Sequence, residues 1–180
     1  MRRRALMSSA LLAAPFAALT VVPARAQGLL DLLAGTGVGA TRFVELVTIG
    51  NNFEIQSSQI LLTRSTHPQI RDFAQRMVEQ HTALNNELSA MPEASTRTPA
   101  ALDDRHTGKL LTLQRQEDVD MLNRYYVQQQ IEAHEEAVEA YEAYAAQGEV
   151  AALKTYAQRH LPAIRQHLQA ARTLQAPRSE

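Results

Sequence analysis

Phe73-Ala-Gln-Arg-Met-Val-Glu-Gln-His81 decides how this chain is read. Wound as an α-helix, it belongs to a stripe of Ile70, Phe73, Ala74, Met77, His81, Leu84 and Leu88, at the three- and four-residue steps of an amphipathic helix. One imidazole therefore sits in the middle of an otherwise apolar face. A related phrase returns as Tyr156-Ala-Gln-Arg-His160, and His167 follows on a stripe of Leu153, Ala157, His160, Ile164, His167 and Ala171. Two more periodic segments each carry one ionisable group. Glu54 lies among Phe43, Val47, Gly50, Ser57 and Leu61, and His134 among Val127, Ile131, Val138, Tyr141 and Ala145. Four amphipathic helices that each turn one polar group inward predict a four-helix bundle with a polar centre.

Capping and turn residues set the expected boundaries. Thr41 is a suitable N-cap for a first helix running to about Thr63. The reversal Ser65–Gln69 has Thr66 and Gln69 at capping-box spacing and Pro68 in the first turn of the next helix, which ends near Ala90. Met91 to Pro99 reads as a polar connection, and Ala100 to Gln116 as a crossover with a short extra helix. His67 and His106 fall in these connecting parts and are expected to be exposed. A third helix starts at Asp118 or Asp120 and runs to about Gln147, with Gly148 closing it, and a fourth runs from about Glu149 to Leu174. Pro162 lies inside the fourth, where a kink or bulge would choose between His160 and His167 as the inward residue. Glu132, Glu135, Glu136, Glu139 and Glu142 lie mostly off the apolar stripe and read as a solvated face.

Composition agrees with an all-α domain: 45% of residues are hydrophobic, aromatics are few, and glycine and proline number only seven each. The amino terminus predicts a signal peptide over residues 1–26. Arg2, Arg3 and Arg4 precede an apolar run from Ala5 to Val22, and Ala24-Arg25-Ala26 offers small residues at a cleavage site. Residues 27–40 then form a flexible leader, 41–174 the bundle, and 175–180 a disordered tail. Cleavage places the mature chain in the periplasm or cell envelope. The whole chain has 18 basic and 19 acidic residues. Loss of the four amino-terminal arginines leaves an excess of five acids, which gives nucleic acid no electrostatic footing. No second apolar run is long enough to span a bilayer. The partners left open are a second copy of the chain or another envelope protein. Without cysteine, thiolate chemistry is excluded, and a bound metal would be held by nitrogen and oxygen.

The spacing of the polar groups is regular. Glu54 lies eleven residues before Ser65 and His81 sixteen after it; His134 lies fourteen before Gly148 and His167 nineteen after it. Each hairpin thus carries the same five-residue offset, about 7 Å of helix rise. One carboxylate and three imidazoles suit one divalent ion, Zn, Fe or Cu. The same groups also suit a buried hydrogen-bond network in a non-catalytic envelope binding or assembly module, and the spacing leaves both readings open. Two-iron bundles place a glutamate three residues before the ligating histidine. Here those positions hold Val78, Ile131 and Ile164, so a two-iron centre is not expected. No nucleophile elbow, phosphate-cradling loop or catalytic triad is present, and no catalytic residue is assigned.

Phe73 to His81, Tyr126-Val127, His134-Glu135, and Leu161-Pro162 followed by Arg165-Gln166-His167 resemble domain-of-unknown-function family 4142, over roughly Thr41 to Leu174. The resemblance implies a ferritin-like four-helix bundle, built from two hairpins joined by a crossover, in an exported bacterial protein of a kind often labelled outer-membrane. Glu54, His81, His134 and His167 match the recurrent polar positions of that family. The chain departs from it at Gln80 and Ala133, where an acid usually precedes the histidine. The expected metal ligands are therefore Glu54, His81, His134 and His167, with His160 in reserve and Tyr126 or Tyr141 as donors near them.

Overall fold

A computed structural model describes residues 38–97 and 101–174. The predicted signal peptide, residues 27–37 of the predicted leader and the tail lie outside the described residues, and the leader's last residue, Ala40, is the first of a helix. Among the described residues six helices follow one another: α1 (Ala40–Leu62), α2 (Pro68–Ala90), the single turn α3 (Pro92–Ser95), α4 (Asp104–Gln114), α5 (Val119–Gln147) and α6 (Ala151–Thr173). The chain is an all-α helical bundle, with no strand among the described residues. α1 packs along α2, and α5 along α6; the two hairpins meet chiefly through α1 and α5, and α4 lies across both. No helix among the described residues is long and apolar enough to cross a membrane.

The stripes expected from the sequence are the buried faces. One apolar cluster joins Phe43, Val44, Leu84, Leu88, Tyr141, Tyr144, Leu153 and Ile164; another joins Leu61, Ile70, Phe73, Met77, Leu122, Tyr126 and Ala171. Between them, midway along each long helix, the buried residues turn polar: Asn51, Glu54, Ser57 and Ser58 on α1, His81 on α2, Gln130 and His134 on α5, and His167 on α6. Ser57 belongs to this layer as a packing and hydrogen-bonding residue, its Oγ accepting from Gln130 Nε2 at 3.1 Å and donating to the Glu54 carbonyl at 3.2 Å.

Several helix ends differ from expectation. α1 starts one residue before Thr41, with Gly39 as N-cap, because its end is capped from across the molecule: Ala40 N–H donates to Glu149 Oε1 at 2.6 Å. At α2 the N-cap is His67, which makes no side-chain cap bond, so the Thr66–Gln69 box does not form. Arg71 holds that reversal instead, donating from Nη1 to the carbonyls of Leu62 and Ser65 at 2.7 and 2.8 Å. α5 begins as expected, with Asp118 Oδ1 accepting from Met121 N–H at 2.8 Å. Asp118→Ala should lower unfolding stability by about 1 kcal/mol in chemical denaturation, the usual worth of such a cap. Gly148 closes α5 at φ −55°, and its lack of a side chain serves a close approach: a Cβ there would stand 2.5 Å from the Tyr144 ring.

α6 runs unbroken through Pro162, which lies on the exposed side, where the carbonyl it leaves without a helical donor meets water. The acidic face of α5 is exposed but not idle. Glu135, Glu136 and Glu142 pair with Arg172, Arg105 and Arg165 from neighbouring helices, and Glu132 with Lys109. Such exposed pairs each contribute about 0–1 kcal/mol.

Candidate metal centre

Three histidines from three helices meet in the polar layer. His81 of α2, His134 of α5 and His167 of α6 are all buried, and each pair of rings stands 5.4 Å apart between centroids, at interplanar angles of 74°, 53° and 83°. One ring nitrogen of each lies within 4.8 Å of one from each of the others. Bonds of about 2.1 Å from one ion to three imidazole nitrogens at tetrahedral angles would put the ring centroids about 5 Å apart. The observed triangle is close to that size without any movement of the helices.

The outer nitrogens are engaged in ways that turn the inner ones toward each other. His134 Nδ1–H donates to the Gln130 carbonyl one turn earlier, at 2.8 Å. His81 Nδ1–H donates to Asn51 Oδ1, also at 2.8 Å. The direction of that bond is set by a chain of amides: Asn51 Nδ2 donates to Asn85 Oδ1 and Asn85 Nδ2 to Asn52 Oδ1, so the Asn51 oxygen is the atom left for His81. With Nδ1 carrying the proton, Nε2 of each ring presents a lone pair. His81 Nε2, His134 Nε2 and His167 Nδ1 are buried and have no hydrogen-bond partner in the protein. Each such orphan costs about 1–3 kcal/mol, and the two Nε2 lone pairs bring no proton of their own to the centre. A cation would supply what they lack.

Electrostatics keeps these donors ready. Burial lowers His134 from 6.5 to about 3, against the Gln130 carbonyl, which favours the protonated ring. His167 falls to about 4 through burial and the nearby Arg76 guanidinium. His81 is held well below the ordinary range by burial and by the other two imidazoles. All three rings are therefore neutral at physiological pH, the form that binds metal. Glu54 stands beside them, its Oε1 3.5 Å from His134 Nδ1. Burial raises its carboxyl well above the carboxylate range, and the adjacent Gln130 amide and the Lys109 ammonium only partly offset this.

This much places a three-imidazole centre inside a helical bundle of the length and spacing described. The family model for a Domain of unknown function (DUF4142) matches residues 34–174. The chain belongs to the DUF4142 family. No curated protein and no solved structure matches it.

Within this DUF4142 chain the predicted site residues divide. His81, His134 and His167 come together. Glu54 is in the same layer but on the Nδ1 side of His134, outside the cluster of three. His160, the reserve, lies half-buried at the α2–α6 edge, its Nε2 3.0 Å from Glu87 Oε2 and its ring 4.5 Å from that of Tyr156. The tyrosine hydroxyls are occupied elsewhere, Tyr126 with Ser58 at 2.8 Å and Tyr141 with Tyr156 at 3.5 Å. His67 is exposed as expected.

His106, expected to be exposed, is buried, and this corrects the sequence reading. α4 docks on α1, which brings the His106 ring within 5.1 Å of Phe53, and Asp103 Oδ1 accepts from both its backbone N–H and its Nδ1–H at 2.8 and 2.7 Å. The groups missed from the sequence are those that orient the rings, Asn51 and the Gln130 carbonyl. Asn51 was within reach, because it stands three residues before Glu54 on the same helix face.

Proposed function

We propose that this DUF4142 protein is an exported envelope protein that binds one divalent ion, Zn, Fe or Cu, through His81, His134 and His167. The observation that carries this reading is the trio of buried, unpartnered ring nitrogens, from three rings at equal spacing. A structural hydrogen-bond network would need donors facing acceptors at that point. Here two of the three rings commit their protons outward. Imidazole nitrogens suit all three metals, and the donor set alone does not choose among them.

Glu54 serves this site from behind His134. The Gln130 carbonyl takes the His134 Nδ1 proton and fixes the ring, and Glu54 Oε1 stands 3.5 Å behind the same nitrogen. Burial favours the neutral Glu54 carboxyl in the metal-free protein, and loss of that proton beside a bound cation would place a negative charge there and offset part of the cost of a buried ion. Export is supported by the amino-terminal pattern of residues 1–26. A ferritin-like connectivity is supported by the pairing of α1 with α2 and α5 with α6, with α4 in the crossover between them.

The test is the metal content of protein purified from a periplasmic extract without a metal-affinity tag. About one ion per chain is expected, and a metal-free protein that gains no thermal stability from added Zn, Cu or Fe would reject the reading. Glu54→Gln should keep the ion but weaken its binding by about 10- to 100-fold in chelator competition, the usual effect of losing an outer partner.

A further inference from the structure

A cavity of about 50 Å³ lies between α1 and α5 and reaches the polar layer from the surface. Its floor is formed by Asn51, Glu54, His81 and His134. Its mouth lies beside Arg105 and Glu136, half-exposed side chains joined by two hydrogen bonds of 2.5 and 2.7 Å. The walls between are mostly apolar and small, among them Val47, Gly50, Ala133, Ala137 and Ala140. His167 is not among the lining residues, so the cavity approaches the triangle along its His81–His134 edge.

We propose that this cavity is a binding site for a small monovalent anion of about three heavy atoms, which takes the coordination position that the three histidines leave open. The inference rests on the metal site above. Three imidazoles leave a divalent ion one position short of a tetrahedron, the arrangement of sites that accept an exogenous ligand. Size sets the upper limit. One water needs roughly 10–15 Å³ of such space, so the cavity admits about three to five waters or one molecule of azide or formate size. Charge sets the sign. Three neutral rings leave the ion at plus two, Glu54 can cancel one charge, and an apolar interior disfavours the remainder. The Arg105–Glu136 pair at the mouth balances itself and leaves that remainder to the ligand.

Gly50 offers a direct test, because a Cβ built there meets nothing within 4 Å. Gly50→Leu fills the cavity from the α1 wall, leaves every metal ligand in place and suits a helix interior better than glycine. The purified chain is loaded with Co(II), its metal content is measured, and azide is titrated while the visible ligand-field spectrum is followed. Wild type is expected to change its spectrum with saturation at one azide per ion. Gly50→Leu should keep the ion and bind azide at least ten-fold more weakly, whereas Gly50→Ala should resemble wild type. Ala137→Leu blocks the same space from α5 and replaces Gly50→Leu should that variant fail to fold. A loaded wild type that ignores azide overturns the anion site and leaves the metal site standing, as does equal azide affinity in both blocked variants. A wild type that takes up no metal overturns both.

Discussion

His134→Ala and His81→Ala should each lower metal affinity by roughly a hundred- to ten-thousand-fold. A structural zinc site is worth about 10–16 kcal/mol in total, so one ligand of three or four accounts for about 3–5 kcal/mol. The loss should not come from unfolding. In the metal-free chain His134 Nε2 and His81 Nε2 are unpartnered, so alanine removes an orphaned polar atom while it opens a cavity, two effects of opposite sign. Elemental analysis and chelator competition read the affinity, and far-ultraviolet circular dichroism reads the fold. His160→Ala is the control: its ring bonds Glu87 at the edge of the bundle and its loss should leave metal content unchanged. Full occupancy in His134→Ala, or metal loss in His160→Ala alone, would refute the assignment.

The second large effect is a steep loss of metal-free stability on acidification. Burial holds His134 at about 3 and His167 at about 4, and places His81 well below its ordinary value. In the unfolded chain all three return to about 6.5. Below that pH the unfolded state takes up protons that the folded state refuses, so stability falls as pH falls. The loss continues toward the folded values near 4 and 3. Glu54 acts in the opposite sense, because its raised folded value lets the native state keep a proton that the unfolded state gives up above about 4.5. His134 and His167 alone take up about two protons on unfolding, or about 2.5 kcal/mol per pH unit between pH 6 and 5; His81 adds to this slope and Glu54 subtracts from it. Urea denaturation of metal-free protein across that range should show this slope, and His134→Leu should reduce it by about half. A flat profile would mean that the histidines are not buried together.

The helices and the three histidines were legible because both follow from period. A residue at three- and four-residue steps from its apolar neighbours faces the core whatever the details of packing, and His81, His134 and His167 each satisfy that rule. His160 satisfies it too and nonetheless lies at the edge, because a seam has width and only the packed partner decides which flank is covered. The remaining features depend on contacts between segments far apart in sequence. Ala40 is capped by Glu149, and His106 is buried because a crossover helix settles on Phe53. Neither leaves a local signature. Glu54 was legible as a buried carboxylate, but its relation to His134 Nδ1 depends on side-chain reach between α1 and α5. Asn51 and Asn85 were passed over for a different reason: an uncharged amide in a helix looks like surface until the ring it orients is seen opposite it.

The polar layer also has a mechanical consequence. Apolar packing that runs without a break makes a small domain melt all at once, and an interruption lets parts open separately. In this bundle one apolar cluster ends at Val47, Leu84, Tyr141 and Ile164, and the other resumes at Leu61, Met77, Val127 and Ala171. The two ends are thus expected to open as separate units, joined at the histidines, and hydrogen exchange on metal-free protein would show two opening free energies. A cation held by one residue from each of α2, α5 and α6 would act as the splice, and its arrival or departure would set whether the molecule breathes as one body or as two halves.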